Sequence, residues 1–143
     1  MQKVLLVDRD PRSRLLWLDS LREIVEVLVV EADELPVRRV RSVRPSAVIL
    51  AIGRNRVRET LGWSRVIKTD SSAPPAVGIH DPNGRIRDIE KAVQNSMADS
   101  IMRGVSDADT RRSFLESLLS GTANQVYDYP TNSWRQKLLG GFR

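Results

Sequence analysis

Pro45-Ser46-Ala47-Val48-Ile49-Leu50-Ala51 is a short apolar run that opens on a proline and gives way at once to the polar Gly53-Arg54-Asn55. A strand with one wet face alternates apolar and polar residues, so an unbroken run of this length fits a strand covered by helices on both sides. It predicts the central strand of a parallel sheet. The polar, glycine-containing stretch after it predicts a loop at the carboxyl edge, where the sites of open α/β sheets lie.

Upstream, Lys3 to Val7 is a run of the same kind, ended by Asp8-Arg9-Asp10-Pro11. Asp10 suits a helix N-cap and Pro11 a first turn, where a missing N–H costs nothing. The following helix places Leu15, Leu18, Leu21 or Arg22, and Val25 at spacings of three and four. Val25 to Val30 reads as another strand, Asp33 as a cap, and Val37, Val40 and Val43 as the stripe of a helix stopped by Pro45. Downstream, Val57, Leu61, Val66 and Ile67 suggest a helix that Gly62 weakens. Ala76 to His80 predicts a further strand, closed by the turn Asp81-Pro82-Asn83-Gly84. Ile86, Ile89, Val93, Met97 and Ile101 have the cleanest helical period in the chain and predict a long helix running to Gly104. Asp107 or Asp109 can cap a last helix carrying Phe114, Leu115, Leu118 and Leu119. Strands alternating with helices make residues 1–120 a doubly wound α/β domain, a parallel sheet of four to five strands with helices on both faces.

Composition bounds the function. The 143 residues include no cysteine, so no disulfide can form, and no stretch resembles a signal peptide or a membrane span. A cytoplasmic protein without membrane contact is expected. The net charge of +5 is uneven: residues 36–68 carry +8, residues 1–35 sum to −3 and residues 69–143 to zero. Arg38, Arg39, Arg41, Arg44, Arg54, Arg56 and Arg58 could therefore form a basic surface for nucleic acid or an acidic partner. A solvated face is the plainer reading, since no nucleic-acid motif accompanies the charge. Residues 121–143 form a different kind of segment, an extension carrying Tyr127, Tyr129, Trp134 and Phe142. It is too apolar for a plain linker and is expected to dock, either on its own domain or on a protein partner or second copy of the chain.

The order of these elements and four local motifs resemble the receiver domain of two-component response regulators, whose fold is flavodoxin-like. Val4-Leu5-Leu6-Val7-Asp8-Arg9-Asp10-Pro11 with Arg14 is similar to the family's opening, and Arg44 to Ala51 to its central strand. Pro75 to His80 is similar to its fourth strand, and Gly104-Val105-Ser106-Asp107 to its glycine-alanine-acid-acid corner. The resemblance implies an acidic pair and an acceptor aspartate around Mg²⁺, with a lysine on the phosphate and a hydroxyl residue that swings toward it. Here Asp8 survives, but Arg9 stands at the second acidic position, Ala51 at the acceptor and His80 at the hydroxyl. An ungapped count puts Arg111 at the lysine.

A methyl group has no lone pair to attack phosphorus, so the resemblance implies a vestigial pocket made of Asp8, Arg9, Asp10, Ala51, His80 and Arg111. Arg9 is expected to be held by Asp8 or Asp10 as a fixed charge in the cation's place. His80, the only histidine, is expected to fill the pocket beside Asp8, and neither metal nor cofactor is expected. Where the family's fifth strand ends in lysine and proline, Ala108-Asp109-Thr110-Arg111-Arg112 is poor strand material, so that strand is expected to be short or absent. The leading functional expectation is a phosphorylation-independent signalling module that acts through protein contacts, in signal transduction or transcriptional control, and is not an enzyme. The alternative is a nucleic-acid-binding regulator using residues 36–68.

Overall fold

In the computed structural model, residues 1–122 are described in full, and of the remainder the backbone of residues 125–128 and 133–136. The central run becomes β3 (Ala47–Ala51), buried at every position. It lies between β1 (Lys3–Val7) and β4 (Ala76–Asp81), parallel to both, with Leu5 beside Val48 and Ala51 beside His80. β2 (Glu26–Val29), β5 (Ser100–Arg103), β6 (Gln125–Asp128) and β7 (Ser133–Gln136) complete one sheet in the order β2-β1-β3-β4-β5-β6-β7. Every neighbouring pair is parallel except β6 and β7. This is the expected flavodoxin-like α/β architecture, continued past β5 by two strands of the extension.

Side chains alternate between two cores because successive strand residues point to opposite faces. Leu5, Val7, Val48, Leu50, Val77 and Ile79 pack under α2 (Pro36–Val43), α3 (Val57–Thr69) and α4 (Ile89–Ser96). Val4, Leu6, Ala47 and Ile49 pack under α1 (Pro11–Leu21) and α5 (Ala108–Ser120), around Trp17 and Phe114. β4 has a glycine where α5 comes closest: a Cβ on Gly78 would lie 2.6 Å from Phe114 Cε2 and 2.7 Å from Leu118 Cδ1. The chain moves outward from β1 to β2 and returns across β1 to β3. This reversal opens a crevice at the carboxyl ends of β1 and β3. None of the helices in the described residues is long and apolar enough to cross a membrane.

Four expectations are corrected. α1 does not bury Leu15, which is 60% exposed, as Leu16 is 49% exposed. It turns Trp17 inward beside the expected Leu21, because an indole buries far more apolar area than a leucine and so sets the helix rotation. The long fourth helix stops at Ser96, with Met97 left-handed at φ 57°, and Ser100–Arg103 is the fifth strand, buried at its first three positions. Ile101 follows Met97 by four residues only by coincidence; it pairs beside Ile79, where the open edge of β4 takes up its backbone hydrogen bonds. Ala108–Arg112 is the first turn of α5, capped by Asp107, whose Oδ1 accepts from Thr110 N at 2.8 Å. Asp33 does not cap α2: Leu35 does so without a side-chain bond, and Pro36 at the first position needs no acceptor.

Candidate functional site

The carboxyl edge gathers Asp8, Asp10, Ala51, Gly53, Asn55 and Asp81 from three loops. Asp8 directly follows β1 and is buried, its Oδ1 accepting from Asp10 N at 3.0 Å and its Oδ2 from Ser13 Oγ. Burial pushes its carboxyl above the usual range, and the two hydrogen bonds oppose that. Asp10 caps α1 through Arg12 N at 3.0 Å. Ala51 ends β3 with its methyl buried and its carbonyl accepting from Asn55 Nδ2 at 2.9 Å. A Cβ on Gly53, whose φ is +36°, would lie 3.7 Å from Asp8 Oδ1.

A cation that sequence reading missed reaches the loop after β3. Arg85, from the loop after β4, donates through Nη1 to Gly53 O at 2.8 Å and Asn55 O at 2.9 Å. Its backbone is fixed by fully buried Asp81, which accepts from Arg85 N at 2.9 Å and Ile86 N at 2.8 Å. The Asp81 turn was legible, since aspartate there accepts from the backbone it turns. The reach of Arg85 to the β3 loop was not, because its partners lie about thirty residues away in sequence.

Arg9 does not sit on Asp8 or Asp10. Its guanidinium lies 5.4 Å from the Trp63 ring centroid, 3.8 Å from Glu59 and 3.4 Å from Ala32 O. Stacking on an indole leaves it in contact with water, whereas turning inward would strip its hydration beside an aspartate already satisfied by Ser13 and Asp10. His80 is not paired with Asp8 either. Its Nδ1 accepts from Trp17 Nε1 at 3.2 Å, and the ring lies edge-on to the indole. An indole N–H can only donate, so Nδ1 carries no proton and Nε2–H donates to Gly104 O at 3.4 Å. Burial, with Arg111 adding repulsion, lowers the His80 pKa to about 4, so the ring is neutral.

Arg111 is on α5 rather than at the end of β5. It is buried there, its Nε donating to Ser20 Oγ at 2.8 Å and its Nη1 to Ser106 O at 2.5 Å, and burial lowers its pKa. Arg103 ends β5, beside Asp81, with Gly104 after it. These residues do not fit a magnesium ion, which takes an octahedron of hard oxygens. Asp8, already bonded twice, faces a methyl, its neighbour Asp10 is used as the cap of α1, and the described residues hold no cluster of three candidate ligands.

The basic residues are distributed along the α2–α3 layer instead of gathered in one patch. Arg39 pairs with Glu34 at 3.4 Å, and Arg41 holds Asp70 through two bonds of 2.9 and 2.6 Å. Arg38, Arg44, Arg54, Arg56 and Arg58 are exposed, Arg44 at the amino edge and Arg54, Arg56 and Arg58 at the carboxyl edge. In the extension, the backbone of Tyr127 pairs with Met102 on one side and Trp134 on the other. The side chains of Tyr127 and Trp134, and all of Tyr129 and Phe142, lie outside the described residues.

No protein-family model matches the chain, and no curated protein matches it. Solved structures do. The N-terminal domain of the nisin resistance regulator NsrR, a lantibiotic response regulator, is 15% identical over 83% of this chain and 98% of its own, with a TM-score of 0.65. The signal receiver domain of a Luxo repressor protein from Vibrio parahaemolyticus is 18% identical over 84% and 91%, with a TM-score of 0.67. NtrX from Brucella abortus is 21% identical over 85% of this chain and 27% of its own, with a TM-score of 0.69. At these identities the likeness defines the fold, which is that of a receiver domain.

Proposed function

We propose that this chain is a phosphorylation-independent receiver-like signalling module that works through contact with a protein partner and catalyses no reaction. The observation that carries the reading is Ala51: a buried methyl at the end of the central strand, where the response regulators it resembles in fold carry the acceptor. Asp8 beside it is engaged by Ser13 and the Asp10 amide, and Arg9 lies on Trp63. Where those regulators swing a hydroxyl on phosphorylation, His80 is held at both ring nitrogens. These contacts favour one fixed conformation that a partner reads directly, in signal transduction or transcriptional control.

Incubation with acetyl phosphate and Mg²⁺, or with beryllofluoride, tests this. The intact mass and the amide spectrum should not change; an acyl phosphate on any aspartate would sink the reading. Nucleic-acid binding through Arg38, Arg44, Arg54, Arg56 and Arg58 is the second reading, favoured by their exposure without a carboxylate partner among the described residues. Binding that falls steeply between two salt concentrations would support it.

A further inference from the structure

At the amino edge, opposite the crevice described above, lies a cavity of about 640 Å³ between the end of α2, the end of α3 and the loop before β4. That volume is within the roughly 300–1,000 Å³ of small-molecule sites. Its floor is apolar, from Val40 and Ile67, and Pro74 forms one wall. The two-bond pair of Arg41 with Asp70 ties α2 to α3 across it, so the walls are held in place before anything binds. Arg44, at the rim, has a left-handed backbone, φ 52° and ψ 61°, which a non-glycine residue adopts only at a cost. Its exposed guanidinium has no partner among the described residues.

We propose that this cavity binds a small organic carboxylate with a flat apolar body, the body lying on Val40, Ile67 and Pro74 and the carboxylate on Arg44. An arginine fork matches a carboxylate through two parallel hydrogen bonds. A monoanion is favoured over a dianion because the other cations nearby are already neutralised: Arg41 by Asp70, and Lys68 by Asp99 at 2.8 Å. The site shares no residue with the Asp8–Ala51 pocket, so it stands or falls independently of the receiver-like reading.

Titration of the full chain with 2-naphthoate, followed by amide chemical shifts, tests the assignment. Saturable shifts at Val40, Ile67 and Ser71 are expected. Arg44→Gly should weaken binding by about tenfold or more, the worth of a charged hydrogen-bonded pair. Glycine takes the left-handed backbone readily, so this variant should fold at least as well as the parent. Neutral 2-naphthalenemethanol should bind more weakly and be indifferent to Arg44→Gly. Unsaturable shifts, shifts centred on the carboxyl edge, or equal binding by the Arg44→Gly variant would overturn the site. Tighter binding of 2-naphthyl phosphate than of the naphthoate would overturn the choice of a monoanion.

Discussion

His80 couples the stability of the fold to pH. Its folded pKa of about 4 lies below the ordinary 6.5, so between these values the unfolded chain binds a proton that the folded chain refuses. Stability therefore rises with pH across that window: it is complete above pH 6.5 and falls as pH drops toward 4. The full loss is roughly 3 kcal/mol, from about 1.4 kcal/mol for each pH unit of separation. His80→Gln can still accept from Trp17 and donate to Gly104, and should flatten this slope in chemical denaturation run from pH 4 to 7. An unchanged slope would place the titration elsewhere. Arg9→Ala should cost about 0.5–1 kcal/mol, the worth of an exposed cation–π contact, with no new response to divalent metal. Thermal unfolding with and without Mg²⁺ checks both. Ala51→Asp alone should acquire no phosphoryl mass from acetyl phosphate, because Asp8 stays engaged by Ser13 and the Asp10 amide while the Asp10 carboxylate caps α1.

Among the elements, β4 and α5 pack so closely at Gly78 that a side chain there would meet Phe114 and Leu118. Gly78→Ala places a methyl inside the Phe114 ring and the end of Leu118, and should destabilise by about 1–3 kcal/mol, the usual cost of overpacking. Denaturant unfolding measures this, and a neutral result would mean that α5 can move away without loss. β3, β1 and β4 were legible in sequence because strands buried on both faces must be apolar throughout. β5 was not: it has only Ile101 and Met102 as a core, and Met97 ends α4 without the glycine or asparagine that usually marks such a stop. α1 was found with Leu18, Leu21 and Val25 on the core side as expected, but Leu15 was placed there in error, since Leu15 and Trp17 compete for the core and only the sheet beneath them decides between them.

Over the whole molecule, β6 lies along β5 and covers the edge at which the five-stranded sheet would otherwise end. A bare edge strand offers unpaired N–H and C=O groups to another chain. Deleting residues 122–143 should therefore raise the molecular mass seen by light scattering as concentration increases. A truncated protein of unchanged mass and stability would mean that β6 protects nothing. The positive charge, contiguous in sequence, is split in space between the two ends of the α2–α3 layer, and part of it is neutralised by Glu34, Asp70 and Asp99.

What could be read from residues alone was governed by short-range physics. The unbroken run of Ala47–Ala51, the caps at Asp10 and Asp107 and Pro11 in a first turn each depend on neighbours within a few positions. Arg9 on Trp63, Arg85 on Gly53 and Asn55, and His80 under Trp17 depend on partners thirty to sixty residues away. Their orientation follows from the comparison between burying a charge or a ring and leaving it in water. That comparison exists only once the strands have brought the loops together.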